Sequence, residues 1–156
     1  MARGQGKTSY CQCACLYAIA TGKQKYVVII SANQKSADNL LSDFYKMVME
    51  KDTKFAQDYP ELTIPFQLLN GSTRRRQMYL GVSTDLVHNS GTLQFARLVT
   101  KSGNELPSSG SIIETRGYTG QLRGMKKLAG GKSIRPDLGL LDDWEDEDSA
   151  QSPSSV

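Results

Sequence analysis

Several kinds of site are short of the residues they need in this sequence. Its 156 residues include one histidine, His88, and one tryptophan, Trp144. The three cysteines, Cys11, Cys13 and Cys15, form a C-x-C-x-C run with no histidine nearby, which is not the spacing of a zinc finger. On a helix, Cys11 and Cys15 share a face and Cys13 points elsewhere. The expectation is small apolar filler in a reducing cytosol. No apolar run approaches the ~20 residues of a membrane span. The opening MARGQGKTS lacks the apolar stretch of a signal peptide. These absences lead us to expect a soluble, intracellular protein without a membrane partner. His88, alone in a polar stretch, is expected at the surface, and Trp144 is expected to pack rather than to stack on a base.

Basic residues are also absent from Asp137 onward, where seven acids stand: Asp137, Asp142, Asp143, Glu145, Asp146, Glu147 and Asp148. Residues 1 to 136 therefore hold all 19 Lys and Arg and nine acids, a net charge of +10 within a chain of net +3. A basic body suits a polyanion such as DNA or nucleotide phosphate, or is a well-solvated surface beside an acidic tail. Arg74-Arg75-Arg76 is the densest basic run and leans toward DNA phosphates. Glu145 to Asp148 read as a solvated tail, because consecutive acids on one strand point to different sides.

What is present suits one domain of 156 residues, able to bury roughly two-thirds of its unfolded surface. A Gly-rich turn over residues 3–9 is followed by a predicted helix from Lys7 to Ala20, with Gly22 as its C′ residue. Tyr26 to Ile30, YVVII, reads as a buried strand. Ser31 to Asn33 supply an N-cap. Ala37, Leu40, Leu41, Phe44, Met47 and Val48 then recur at helical spacing to about Lys51. Residues 52–70, with Pro60 and Pro65, read as a connection. TLQFARLV and SIIETRG read as two strands joined by a turn. Residues 116–136 read as a basic, Gly-rich loop, and Leu138 to Leu141 as a strand ending in Asp142 and Asp143. Alternation of strand and helix implies an α/β domain with a mainly parallel sheet.

Two motifs carry chemistry. Gly4-Gln5-Gly6-Lys7-Thr8-Ser9 opening a helix matches the end of the phosphate-loop pattern G-x-x-x-x-G-K-[ST]. Glycines let backbone N–H groups cradle phosphates, and the positive helix end faces the same anion. In that pattern Lys7 reaches the β- and γ-phosphates of ATP and the Thr8 hydroxyl ligates Mg²⁺. The pattern's first glycine falls on Met1, so the strand before the loop is expected to be missing. The second motif is the apolar strand ending in Asp142, which delivers a carboxylate to the same sheet edge. Asp142 is the expected Mg²⁺-linked acid, and Asp143 or Glu145 the acid that polarises the attacking water.

With both motifs in place, RGYTGQLRGMKK and RPDLGLLDDWED resemble the terminase large subunit family, the ATPases that package viral DNA. ARGQGKTS is similar to that family's nucleotide loop, and YVVIISANQKSADNLLSDF to its second strand and helix. The resemblance spans nearly the whole chain, and Arg135-Pro136-Asp137 leading into Leu138 to Asp143 is its most diagnostic string. It implies a three-layer P-loop fold, with the first strand and the C-terminal part missing, over residues 1–148, followed by a polar tail at 149–156. It implies ATP hydrolysis coupled to DNA translocation, with ATP and Mg²⁺ as cofactors. Arg3, Gly4, Gln5, Gly6, Lys7, Thr8 and Ser9 match the nucleotide loop, with Arg3 also a catalytic candidate. Thr8 and Asp142 match the metal-linked pair. Asp143 falls where the family carries its catalytic carboxylate, usually Glu, so that role is open between Asp143 and Glu145. Arg123 is a phosphate sensor or a structural residue. The family's nuclease domain has no counterpart here. The implied partners are double-stranded DNA bound without sequence preference, the terminase small subunit, the capsid portal and further copies in a ring, in the host cytoplasm of a bacteriophage infection. The alternatives are a helicase-like P-loop DNA ATPase, or an inactive truncated gene product.

Overall fold

The computed structural model describes residues 6–69, 77–118 and 124–142. Helix α1, Lys7–Ala20, ends as expected. Gly22 follows in the left-handed region at φ 69° and its N–H reaches the Ile19 carbonyl at 2.9 Å, as a C′ glycine does. Any Cβ at Gly22 would also lie 2.7 Å from that of Pro107. Strand β1, Tyr26–Ser31, follows. Helix α2, Gln34–Met49, starts on Asn33, whose side chain accepts from the Ser36 N–H at 2.9 Å.

Residues 52–70 are not a connection. They form α3, Lys54–Asp58, and α4, Pro60–Leu69. The two prolines are compatible with helix for a physical reason. Pro60 occupies the first helical position, where its missing N–H costs nothing. Pro65 gives up one ladder bond, offset by burial of Leu62, Thr63 and Phe66. Two short hairpin strands come next, β2 at Met78–Tyr79 and β3 at Val82–Ser83. They are followed by β4, Val87–Asn89, β5, Thr92–Gln94, and β6, Ile112–Gly117. The stretch expected to be a loop contains a further hairpin, β7 at Lys127–Ala129 and β8 at Lys132–Ile134. Strand β9, Leu138–Leu141, comes last.

The main sheet has the order β4-β5-β6-β1-β9. Strand β1 lies parallel between β6 and β9, whereas β4-β5 and β5-β6 are antiparallel. The domain is therefore α/β, but its sheet is mixed rather than mainly parallel. The antiparallel half arises because β4, β5 and β6 are joined by short turns and a compact loop, not by crossover helices.

Strand alternation sorts the core into two faces. Val27, Ile29, Leu93 and Ile113 point toward Cys15, Leu16 and Ile19 of α1, Leu41, Phe44 and Val48 of α2, and Leu62 and Phe66 of α4. Tyr26, Val28 and Ile112 point the other way, where Met125, Ala129 and Ile134 of the β7–β8 region pack against them. Among the described residues, then, helices cover one face and a hairpin the other. The expected third layer of helices is not part of them. No helix among the described residues is long and apolar enough to cross a membrane.

Candidate functional site

Helix α1 and the sheet meet at the carboxyl ends of the parallel strands, where open α/β sheets place their ligands. Gly6 begins the helix in the left-handed conformation, φ 67° and ψ 23°, without a side-chain cap. The first helical N–H with a partner in the turn is that of Tyr10, donated to the Gly6 carbonyl at 2.9 Å. A helix start leaves its first amides without intrahelical acceptors, and no acid stands in this first turn. Amides at such a helix start are the donors that bind anions. Lys7 is exposed and Thr8 half-buried.

Across the edge stands Asp142. Its N–H continues the parallel ladder to the Ile30 carbonyl at 2.9 Å. Two-residue alternation puts its side chain on the same face as Leu138 and Leu140, which pack on the helical core. That face is the one carrying α1. The Thr8 hydroxyl accordingly donates to the Asp142 carboxylate, 3.0 Å from Oδ1 and 3.3 Å from Oδ2. Two residues 134 apart in sequence, singled out from separate motifs, touch each other.

The neighbouring edge holds residues that sequence reasoning missed. The Tyr118 N–H donates to the Ser31 carbonyl at 2.7 Å. Gly117 ends β6 beneath the start of α2, and a Cβ there would lie 2.6 Å from the Gln34 backbone nitrogen. The Gly117 N–H donates to the Gln34 side-chain oxygen at 3.3 Å. Only a residue without a side chain allows that approach. Asp137, besides its place in the family-like string, has a structural task. Its carboxylate accepts from the Lys25 N–H at 2.7 Å and the Tyr26 N–H at 2.9 Å, fixing the start of β9 beside the start of β1.

Other expected positions divide as follows. Arg3, Gly4, Gln5, Arg74 to Arg76, Arg123, Asp143, Trp144 and Glu145 lie outside the described residues. Cys15 is buried, Cys13 exposed and Cys11 intermediate, all as free thiols. Burial, with Cys11 nearby, pushes the Cys15 thiol up to about 12, which suits inert filler. His88 is not a plain surface residue. It is half-buried and stacks on the Tyr45 ring at 3.8 Å and 11°, and burial lowers its pKa.

No group of three or more His, Cys, Asp or Glu able to hold a metal occurs among the described residues. Magnesium does not need one, since it binds through one or two protein oxygens plus phosphates and water. The Thr8 hydroxyl and Asp142 carboxylate are two such oxygens, already adjacent. A groove of about 800 Å³ lies elsewhere, between α4 and the β2–β3 hairpin. Its walls are mainly apolar, with Ile64, Leu68, Met78 and Leu106 among them. Comparison with protein-family models, with curated proteins and with solved structures gives no match.

Proposed function

We propose that this protein is a Mg·ATP-dependent P-loop ATPase of the terminase large-subunit type, working in the host cytoplasm on double-stranded DNA. The observation that carries the nucleotide reading is the Thr8–Asp142 hydrogen bond at 3.0 Å, made at the start of α1. A hydroxyl one residue after a lysine, on a helix N-terminus, is paired with an acid ending a parallel strand. It is the pair by which P-loop NTPases hold their magnesium ion. Thr8 and Asp142 would hold the magnesium ion. When bound, the ion neutralises charge developing on the phosphates. Lys7 adds a cation to the phosphate end, and the α1 amides orient the anion. Asp143 or Glu145 would orient the attacking water, with Arg3 and Arg123 as further groups on the phosphates.

Support for the packaging reading, over another P-loop DNA ATPase, comes from the string Arg135-Pro136-Asp137 into Leu138 to Asp143 and its resemblance to the terminase family. In that reading the chain assembles as a ring with the small subunit and the portal. The deciding experiment is equilibrium binding of a fluorescent ATP analogue with and without Mg²⁺. Lys7→Ala should weaken binding roughly ten- to hundred-fold, the equivalent of losing a charge-assisted hydrogen bond of ~1.5–3 kcal/mol. Thr8→Val and Asp142→Asn should abolish the Mg²⁺ dependence and leave thermal stability within about 1 kcal/mol. Binding that ignores both Mg²⁺ and Lys7 would overturn the proposal.

A further inference from the structure

We infer that the β7–β8 hairpin is the surface that docks duplex DNA, through its phosphate backbone. The inference rests on the proposal that this protein works on double-stranded DNA, and it assigns that docking to particular residues. Between Glu114 and Asp137 the sequence has six basic residues and no acidic one: Arg116, Arg123, Lys126, Lys127, Lys132 and Arg135.

The hairpin divides these residues by face. Its register pairs Lys127 with Ile134, Leu128 with Ser133 and Ala129 with Lys132. Met125, Ala129 and Ile134 turn inward onto the sheet. Lys127 also turns inward, where its ammonium donates to the Thr92 hydroxyl at 3.2 Å and lies 3.5 Å from the buried Glu114 carboxylate. Lys127 thus anchors the inner face and has its own charge compensated.

The outer face is different. Alternation leaves Lys126, Leu128, Ser133 and Arg135 pointing outward, and all four are exposed. Continuing the register sets Lys126 opposite Arg135. Lys132, on the inward side by register but exposed beside the Gly130-Gly131 turn, adds a third cation at the tip of the hairpin. None of the three pairs with a carboxylate among the described residues. On the helical side, by contrast, two lysines are neutralised locally, Lys46 by Asp43 at 2.9 Å and Lys54 by Asp58 at 3.2 Å. A ribbon packed against the sheet and carrying unneutralised cations suits the closely spaced negative charge of a duplex. A ribbon held down by its inner face presents that charge to phosphates rather than inserting into base edges, so the docking carries no sequence preference. Its position also matters for the proposed motor. Only Arg135, Pro136 and Asp137 separate β8 from β9, the strand that leads into Asp142.

The test is fluorescence anisotropy with labelled mixed-sequence duplex DNA over a range of salt. The double charge reversal Lys126→Glu/Arg135→Glu should weaken binding at least about ten-fold. It should also flatten the log–log salt slope by about 0.9 for each phosphate that the variant no longer neutralises. The control Lys46→Glu/Lys54→Glu should stay within about two-fold of the parent. The hairpin variant should keep the parent's melting temperature and its Mg·ATP affinity. If the reversal disturbs folding, Lys126→Gln/Arg135→Gln reads the same weakening more mildly. Unchanged affinity in a folded hairpin variant, or an equal weakening in the control, overturns the inference and leaves duplex binding itself standing. Tighter binding to single-stranded DNA or RNA than to duplex also overturns it. A parent protein that does not bind duplex removes both this inference and the DNA half of the proposed function. The Mg·ATP measurement then still decides the nucleotide half independently.

Discussion

The two faces of the main sheet are built from different chemistry. The face under α1, α2 and α4 is a continuous apolar core in which Ile19, Val27, Phe44, Val48, Leu93, Phe95 and Ile113 have no exposed surface. The face under the β7–β8 hairpin has a smaller apolar cluster and, in the middle of it, a carboxylate. Glu114 is 1 % exposed and accepts from the Tyr26 hydroxyl and the Arg116 guanidinium, with the Lys127 ammonium close by. One face stabilises by excluding water from hydrocarbon. The other holds its covering hairpin through charges that require one another. The candidate nucleotide site uses both, since Thr8 stands on the apolar side and β9 leaves directly from the hairpin.

The largest effect expected from breaking this contrast is on the apolar face. Phe44→Ala, at a fully buried ring on α2, should cost roughly 3–5 kcal/mol by lost transfer energy and a residual cavity. Urea unfolding measures it. A cost below about 1 kcal/mol would mean that the helical face is not the main source of stability.

On the hairpin face, Glu114→Gln should cost less, roughly 2–3 kcal/mol, because hydrogen bonds to a charged acceptor are replaced by neutral ones. Arg116 and Lys127 can turn partly to water, since their side chains are 42 % and 34 % exposed. The Tyr26 hydroxyl cannot, because Tyr26 is fully buried. The substitution should also loosen the hairpin alone, seen as faster amide exchange in residues 124–136 than in α2. Uniform loss of protection would argue that the cluster supports the whole sheet instead.

Gly117→Ala comes next, at about 1–3 kcal/mol. Its Cβ meets backbone at 2.6 Å, so the β1–α2 turn must shift as a unit. The expected sign of that shift is weakened Mg·ATP binding without any change in charge. A fully stable variant with parental affinity would show that the edge accommodates a methyl group freely.

The same contrast explains what is legible in the sequence. The apolar face announces itself through YVVII in β1 and the 3.6-residue spacing in α2, and both expected elements agree with the observed ends to within two residues. The contact between Thr8 and Asp142 agrees with their being singled out from two motifs that phosphate-loop chemistry would bring together. The hairpin reads as a loop because one of its inward positions is Lys127. Alternation of apolar and polar residues does not reveal a strand whose buried side chain is a lysine held by Glu114 and Thr92. Helix α4 is hidden by Pro60 at its first position and by Pro65 in its interior, whose lost ladder bond is offset by buried Leu62, Thr63 and Phe66. Gly117 and Asp137 are opaque because their partners, Gln34 and the Lys25–Tyr26 amides, are brought to them only by the tertiary fold.

The smallest expected effect is a pH dependence confined to the start of β1, where the neighbours Lys25 and Tyr26 should act with opposite sign. Burial raises the Tyr26 phenol above its usual 10.0, and the hydrogen bond to Glu114 and that carboxylate's charge add to the shift. The folded protein therefore keeps this proton after the unfolded chain has lost it. Stability from Tyr26 is full below about pH 10 and falls as pH rises beyond it. Burial lowers the Lys25 ammonium below its usual 10.5, only partly opposed by Glu105 and Asp137. Here the folded protein releases its proton first, so the unfolded chain binds more protons just below that pH. Stability from Lys25 rises with pH up to about 10.5 and is flat above. Urea midpoints of the parent and of Tyr26→Phe and Lys25→Met, taken at steps from about pH 8 to 11, separate the two. Tyr26→Phe should flatten the decline at the alkaline end, and Lys25→Met the rise that precedes it. If neither variant changes the shape of the profile, the charges on the hairpin face are coupled to solvent more strongly than the burial of Tyr26 and Glu114 implies. The distinction between the two faces would then rest on packing alone.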